Sequence, residues 1–231
     1  MTEPTLGLVT IGQAPRTDLV PELRATLPPC RIIEHGALDG LDAAQIADLA
    51  PRPGEHAVTS RLADGGSAVF GHDQALPLIG EAIARAEDDG ADVVLLACSG
   101  AFPDMPHRTP LLLVEQLAHH GVAGFGSEPR IGIIRPLPEQ LPDALPAWER
   151  SLGRPIAAAD AANPYADGES ASAAAAKRIA GDVDLIVLDC MGFDEPMRRA
   201  ASAAAGKPTL LVRSLAARLT AELLVATPPR G

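Results

Sequence analysis

The chain has 231 residues and a formal net charge of −11, with 47% hydrophobic but only 3% aromatic residues. That charge argues against nucleic acid or an anionic membrane as the main partner, because both attract basic surfaces. No apolar run is long enough to predict a transmembrane helix, and no secretory signal is evident, so we expect a cytoplasmic protein. The three cysteines lack CxxC spacing, which argues against a disulfide scaffold and a structural zinc site.

Short apolar runs alternate with helical stretches along the chain. Most of these runs are apolar at every position, which is typical of parallel strands buried on both faces. We expect strands over 6–11, 31–34, 93–97, 111–114, 131–134, 155–158, 185–188 and 210–212. We expect helices over 16–27, 45–50, 73–89, 138–152, 169–180, 196–205 and 214–225. Asp73 is expected to cap the third helix, and the alternation predicts a doubly wound α/β fold.

One segment departs from this alternation. Residues 58–62 and 67–70 flank a turn that contains two glycines, a pattern that predicts a β-hairpin. We interpret about 36–72, which includes this hairpin, as an insertion in the first half of the chain. A loop is expected over 161–168, where Asn, Pro and Gly occur together.

The most informative feature is an internal repeat. Residues 92–100 (DVVLLACSG) match 184–192 (DLIVLDCMG), and each copy has Asp six residues before a Cys and Gly two residues after it. Downstream, 110–118 (PLLLVEQLA) matches 208–216 (PTLLVRSLA) in the same order. The repeat predicts two similar α/β lobes with parallel sheets, which we place at 1–127 and 128–231. The last helix could pack on the first lobe.

The repeated cysteines, Cys98 and Cys190, are candidates for acid/base catalysis. Each follows a predicted strand, and in open α/β sheets ligands bind at the carboxyl ends of the strands. A thiolate on one face of a carbon acid can remove a proton, and a thiol on the other face can return one. Gly100 and Gly192 would let a ligand approach each thiol. Cys30 has no counterpart in the repeat, so we interpret it as structural.

Four segments closely resemble the AroM family. They are 10–18 (TIGQAPRTD), 35–41 (HGALDGL), 187–193 (VLDCMGF) and 213–224 (RSLAARLTAELL). That family is similar to the aspartate/glutamate/hydantoin racemase superfamily. The resemblance implies two α/β lobes with an active site between them, usually one cysteine per lobe, no cofactor and a homodimer. It makes Cys98 and Cys190 the acid/base pair. The loop residues after each cysteine differ from those of the amino-acid racemases, so the resemblance does not identify which carboxylate is the substrate.

Substrate-binding residues are expected in the loops at the strand ends. They are Thr10, Gln13, Arg16, Ser99, Gly100, Ala101, Arg135, Met191, Gly192 and Ser214. The guanidinium of Arg16 can hold a carboxylate through two hydrogen bonds, although a solvent-exposed Arg at a helix start fits equally well. Arg135 and Arg213 could line the site or be simple strand-end charges. The six histidines show no ligand spacing, so no metal site is expected.

The favoured function is therefore a cofactor-independent racemase or isomerase that acts on a small carboxylate. One alternative is a decarboxylase or maleate-isomerase-like enzyme that uses one cysteine. Another is a non-catalytic ligand-binding or regulatory protein that uses the same site. Hydrolysis by a cysteine nucleophile ranks last, because it needs a histidine base and only His107 lies in the loop after Cys98.

Overall fold

The computed structural model of the chain describes residues 3–126, 129–166 and 168–227. Its elements in chain order are β1 (Thr5–Thr10), α1 (Val20–Arg24), β2 (Arg31–Gly36), α2 (Ala43–Asp48), β3 (Ala57–Arg61), β4 (Ser67–Gly71), α3 (His72–Asp88), β5 (Val93–Leu96), β6 (Leu111–Leu113), α4 (Val114–Ala123), β7 (Ile131–Arg135), a 3-10 turn (Pro138–Gln140), α5 (Leu141–Leu152), β8 (Ala158–Ala161), α6 (Gly168–Ile179), β9 (Leu185–Leu188), α7 (Glu195–Ala205), β10 (Thr209–Leu211) and α8 (Val212–Ala226). The described residues form two compact units: one comprises those up to Val114 together with those from Ala216 onwards, and the other comprises those within Glu115–Leu215.

Each unit contains one four-stranded parallel sheet, and the two sheets have the same topology. The first unit has the strand order β2-β1-β5-β6, and the second has β8-β7-β9-β10. All neighbouring strands in both sheets run parallel. The predicted α/β fold with two similar parallel-sheet lobes is therefore confirmed.

Two glycines show how closely the sheets correspond. Gly7 pairs with Val94 in the first sheet, and Gly132 pairs with Ile186 in the second. A Cβ atom on Gly7 would lie 2.9 Å from the Ala91 side chain, and one on Gly132 would lie 2.8 Å from Val183. Neither site has room for a side chain, because each central strand passes directly beside the residue that leads into its neighbour.

The central strands form the core of each unit. Every residue of β1, β5, β7 and β9 is buried, as their continuous apolar runs predict. In the first unit, Ile79 and Ile83 of α3 belong to the same buried cluster as Val94. In the second, Ala175 and Ala176 of α6 are buried beside Ile186, so this alanine-rich helix is a core helix.

One predicted strand is misplaced. The strand expected over 155–158 is instead β8, which begins at Ala158 where it pairs with Gly132. Pro155 has no amide hydrogen and cannot donate to a strand ladder, which explains why pairing begins after it.

The predicted hairpin is confirmed. β3 and β4 pair antiparallel, with Ala57 opposite Gly71 and Arg61 opposite Ser67. The hairpin is bonded to the loop after β1, since the Gln13 amide donates to the Arg61 carbonyl at 3.2 Å.

One predicted helix cap and one predicted helix start are wrong. The cap of α3 is Gly71, and Asp73 lies in the first turn, where its carboxylate contacts His72 Nδ1 at 2.9 Å. α1 begins at Val20 rather than at Arg16, because the Arg16 amide donates to the Glu34 carboxylate at 2.7 Å and is thereby drawn towards β2. Within the described residues, no helix is both long and apolar enough to cross a membrane.

Candidate active site

Cys98 and Cys190 occupy equivalent places in the two units. β5 ends at Leu96 and β9 ends at Leu188, so each cysteine lies two residues beyond its strand. Cys98 is partly buried, whereas Cys190 is only 9% exposed. Both thiols therefore lie at the carboxyl edge of a sheet, where open α/β folds bind ligands.

The two loops hold their sulphur atoms in the same way. The Gly100 amide donates to Cys98 Sγ at 3.3 Å, and the Gly192 amide donates to Cys190 Sγ at 3.3 Å. An N–H group aimed at sulphur stabilises the thiolate relative to the thiol. The repeated Cys-x-Gly sequence thus encodes a repeated hydrogen bond, which suits both thiols to proton transfer.

The surroundings of the two glycines differ. A Cβ atom on Gly100 would lie 3.5 Å from Cys98 Sγ and 3.7 Å from the Phe102 ring, which are ordinary contacts. A Cβ atom on Gly192 would lie 2.7 Å from the phenol of Tyr165. Glycine is therefore sterically required at 192 but not at 100.

Two buried arginines hold the backbone on both sides of Cys190. Arg135, at the end of β7, donates to the Asp189 carbonyl at 3.1 Å and to the Asp189 carboxylate at 2.8 Å. Arg213, which follows β10, donates to the Met191 carbonyl through Nε at 2.8 Å and Nη2 at 2.6 Å. Arg213 is 2% exposed and Arg135 is 8% exposed. Both strand-end arginines are therefore buried and bonded to the protein rather than left in solvent.

The Asp189 carboxylate belongs to a buried polar cluster of the second unit. It accepts from Arg135 and, at 2.8 Å, from the indole Nε1 of Trp148. The His119 ring lies 3.8 Å from the Trp148 ring between centroids, and its Nδ1 is 2.9 Å from Ser151 Oγ. Burial lowers the pKa of His119 to about 4, so this histidine is neutral near pH 7. We name Arg135, Trp148, Asp189 and His119 the Asp189 cluster.

The end of β1 and the loop after it contain three of the predicted binding residues. Arg16 donates to Thr10 Oγ1 at 2.8 Å and forms an ion pair with Asp18 at 2.8 Å. It is 2% exposed, so the alternative of a solvent-exposed helix-start arginine is wrong. Gln13 Nε2 donates to the carbonyls of Leu38 and Leu41, at 3.2 Å and 3.3 Å.

The remaining predicted residues lie in or near the two cysteine loops. Ser99 is 7% exposed and Met191 is 2% exposed. Ala101 is exposed, and Ser214 is half-buried at the start of α8. His107 is exposed, and its Nδ1 lies 2.7 Å from the Met105 carbonyl.

Sequence reasoning overlooked Tyr165, Trp148 and His119 as parts of the Cys190 surroundings. Tyr165 and Trp148 are the only tyrosine and the only tryptophan of the chain, and this rarity was the one available signal. Among residues 3–126, 129–166 and 168–227, no three His, Cys, Asp or Glu side chains are grouped so that they could hold a metal ion.

Comparisons with known proteins agree with this architecture. The family model described as AroM protein matches residues 6–224. Comparison with curated proteins gives no match.

Among solved structures, the aspartate racemase of Picrophilus torridus is similar with a TM-score of 0.67 and 10% identity, covering 96% of this chain and 94% of that one. The allantoin racemase of Klebsiella pneumoniae has a TM-score of 0.64 and 18% identity, covering 97% and 88%. An unliganded arylmalonate decarboxylase has a TM-score of 0.57 and 17% identity, covering 98% and 94%. At such identities, these likenesses show the fold.

Proposed function

Since this chain belongs to the AroM protein family and has a racemase-like fold, we propose that it is a cofactor-independent racemase or isomerase that acts on a small carboxylate. Cys98 and Cys190 are the proposed acid/base pair. The observation that carries the proposal is the repeated hydrogen bond from the second-following glycine to each sulphur, at 3.3 Å in both units.

The proposed reaction moves one proton off and another onto the carbon next to the carboxylate. The thiolate of one cysteine takes the α-proton, and the electron pair of the broken C–H bond passes into an enolate. The thiol of the other cysteine then protonates the opposite face of that carbon. The first cysteine ends as a thiol and the second as a thiolate, so the pair is ready for the reverse direction.

The loop backbone can support the charge that develops. The Gly100 and Gly192 amides donate to sulphur, so they stabilise the negative charge that each thiolate carries. Within its own unit, Cys190 lies between two carbonyls held by Arg135 and Arg213, which restrict the motion of this loop. Such support favours a fixed orientation of the thiol, which proton transfer requires.

Two cysteine variants test this proposal. Cys98→Ala and Cys190→Ala should each lower deuterium uptake at the α-carbon of a small carboxylate by about 100-fold or more, because each removes an acid/base group. NMR in D₂O across malonate, succinate, aspartate and glutamate measures this uptake, and chiral analysis measures inversion.

The matched control is Cys30→Ala, which removes a buried thiol that the mechanism does not use. Full exchange and inversion in both of the other variants would show that the two-thiol mechanism is wrong. Exchange that survives in only one variant would indicate chemistry that uses a single cysteine.

A further inference from the structure

Tyr165 lies beside Gly192, two residues after Cys190, although it is 27 residues from Gly192 in sequence. It belongs to the loop between β8 and α6, and this loop leaves the carboxyl edge of the second sheet. The Tyr165 amide donates to the side chain of Asn163 at 2.9 Å, which fixes the turn that carries the ring. The side chain is half-buried.

The phenol end of Tyr165 contacts the glycine that supports the catalytic sulphur. Both Cζ and Oη lie 2.7 Å from the place a Cβ atom would take on Gly192. The amide of the same glycine donates to Cys190 Sγ. The tyrosine hydroxyl and the thiol are therefore neighbours of one residue, and the lack of a side chain on Gly192 is what allows this arrangement.

We infer that Tyr165 is a further substrate-contacting residue, whose hydroxyl donates a hydrogen bond to the carboxylate of a substrate held at Cys190. This inference rests on the proposed function. A phenol is neutral at pH 7 and can donate one hydrogen bond, so it suits an anionic acceptor. A donor beside the thiol matters in a protein with a net charge of −11, because the overall field repels anions.

Two alkylating reagents separate carboxylate recognition from thiol reactivity. Iodoacetate and iodoacetamide both form a C–S bond with the thiolate and release iodide, but only iodoacetate carries a carboxylate. The rate constant for iodoacetate divided by that for iodoacetamide at Cys190 reports recognition of the carboxylate. Peptide mass spectrometry on the full chain measures both rate constants. Cys30 in the same molecule, which the mechanism does not use, is the internal control.

Tyr165→Phe should lower this ratio at Cys190 by about tenfold, because one hydrogen bond to a charged group is lost. The ratio at Cys30 and the iodoacetamide rate at Cys190 should stay within about twofold, since the ring is retained. Tyr165→Leu, which removes the hydroxyl together with the ring, should lower the ratio at least as much.

An unchanged ratio in Tyr165→Phe would overturn the inference, as would an equal loss of both rates, which would indicate that Tyr165 only positions the thiol. The proposed function has its own readout in the wild-type protein. If the ratio at both Cys98 and Cys190 is no higher than in the urea-unfolded chain, the carboxylate site itself is contradicted. If the wild-type ratio is raised and Tyr165→Phe leaves it raised, only the role of Tyr165 fails.

Discussion

The two cysteine loops have the same backbone hydrogen bond to sulphur, but different side chains lie next to them. Strand register makes Thr10 of the first unit equivalent to Arg135 of the second, because Gly7 and Gly132 pair with equivalent residues. By the same register, Ala97 is equivalent to Asp189. The first unit thus has a hydroxyl and a methyl group where the second has a buried ion pair.

Both units nevertheless place an Arg–Asp pair near the carboxyl end of the central strand. In the first unit the pair is Arg16–Asp18, two residues apart, and it is joined to Thr10. In the second the pair is Arg135–Asp189, 54 residues apart. Both copies of the repeat therefore have the hydrogen bond to sulphur, whereas their Arg–Asp pairs are formed by residues at different positions of the repeat.

The largest expected effect comes from breaking the Arg135–Asp189 ion pair of the second unit. Asp189→Ala should lower the free energy of unfolding by about 3–5 kcal/mol, because it leaves the buried Arg135 charge without its carboxylate. Urea unfolding followed by circular dichroism measures this loss.

The double variant Arg135→Thr/Asp189→Ala copies the residues of the first unit and sharpens the comparison. It should be less destabilised than Asp189→Ala alone, since no unpaired charge is left in the interior. A double variant that loses the sum of the two single effects would show that the pair does not act as a unit.

The next effect concerns pH and the Asp189 cluster. The pKa of His119 is lowered from 6.5 to about 4 in the folded chain by burial, so the unfolded chain binds the proton more tightly. Stability should therefore rise with pH between about 4 and 6.5, and roughly 3 kcal/mol should be lost as the pH falls through that window. Unfolding measured across this range should show a smaller slope in His119→Gln.

The exposed neighbour His120 provides the control for this prediction. His120→Gln changes the adjacent residue on the same helix without touching the buried cluster, so the pH dependence of unfolding should persist. A pH profile that is the same in His119→Gln and the wild-type protein would contradict the assignment of this dependence to His119.

The smallest effects compare the two glycines. Gly192→Ala should lower the free energy of unfolding by about 1–3 kcal/mol, because its Cβ would collide with the Tyr165 phenol at 2.7 Å. Gly100→Ala should cost less than about 1 kcal/mol, because its nearest neighbour would be Cys98 Sγ at 3.5 Å. Thermal or urea unfolding of the two variants measures the difference. An equal loss of unfolding free energy in the two variants would contradict the steric difference between the two loops.

The sequence was sufficient to predict the two lobes and the positions of Cys98 and Cys190 just after equivalent strands. Continuous apolar runs marked the buried strands, and the exact match of spacing around Cys98 and Cys190 located the strand ends that carry them. These predictions succeeded because periodicity and repeat spacing are local properties of the chain.

The side-chain partners could not be predicted in the same way. Trp148 and Asp189 are 41 residues apart, and Tyr165 reaches Gly192 from another strand end. Such contacts depend on the order of strands in the sheet, which the sequence alone did not specify. The sequence could not decide whether Arg16 is buried for a related reason, since an arginine is normally exposed unless a partner such as Asp18 compensates its charge.

Ligand protection of the thiols tests the central claim most directly. At pH 7, iodoacetamide should modify Cys98 and Cys190 faster than Cys30, because the loop amides favour their thiolates whereas burial raises the pKa of the Cys30 thiol. Saturating malonate should slow the modification of Cys98 and Cys190 together, with one shared concentration dependence. Protection of only one of them, or two different concentration dependences, would contradict a single carboxylate held by both thiols.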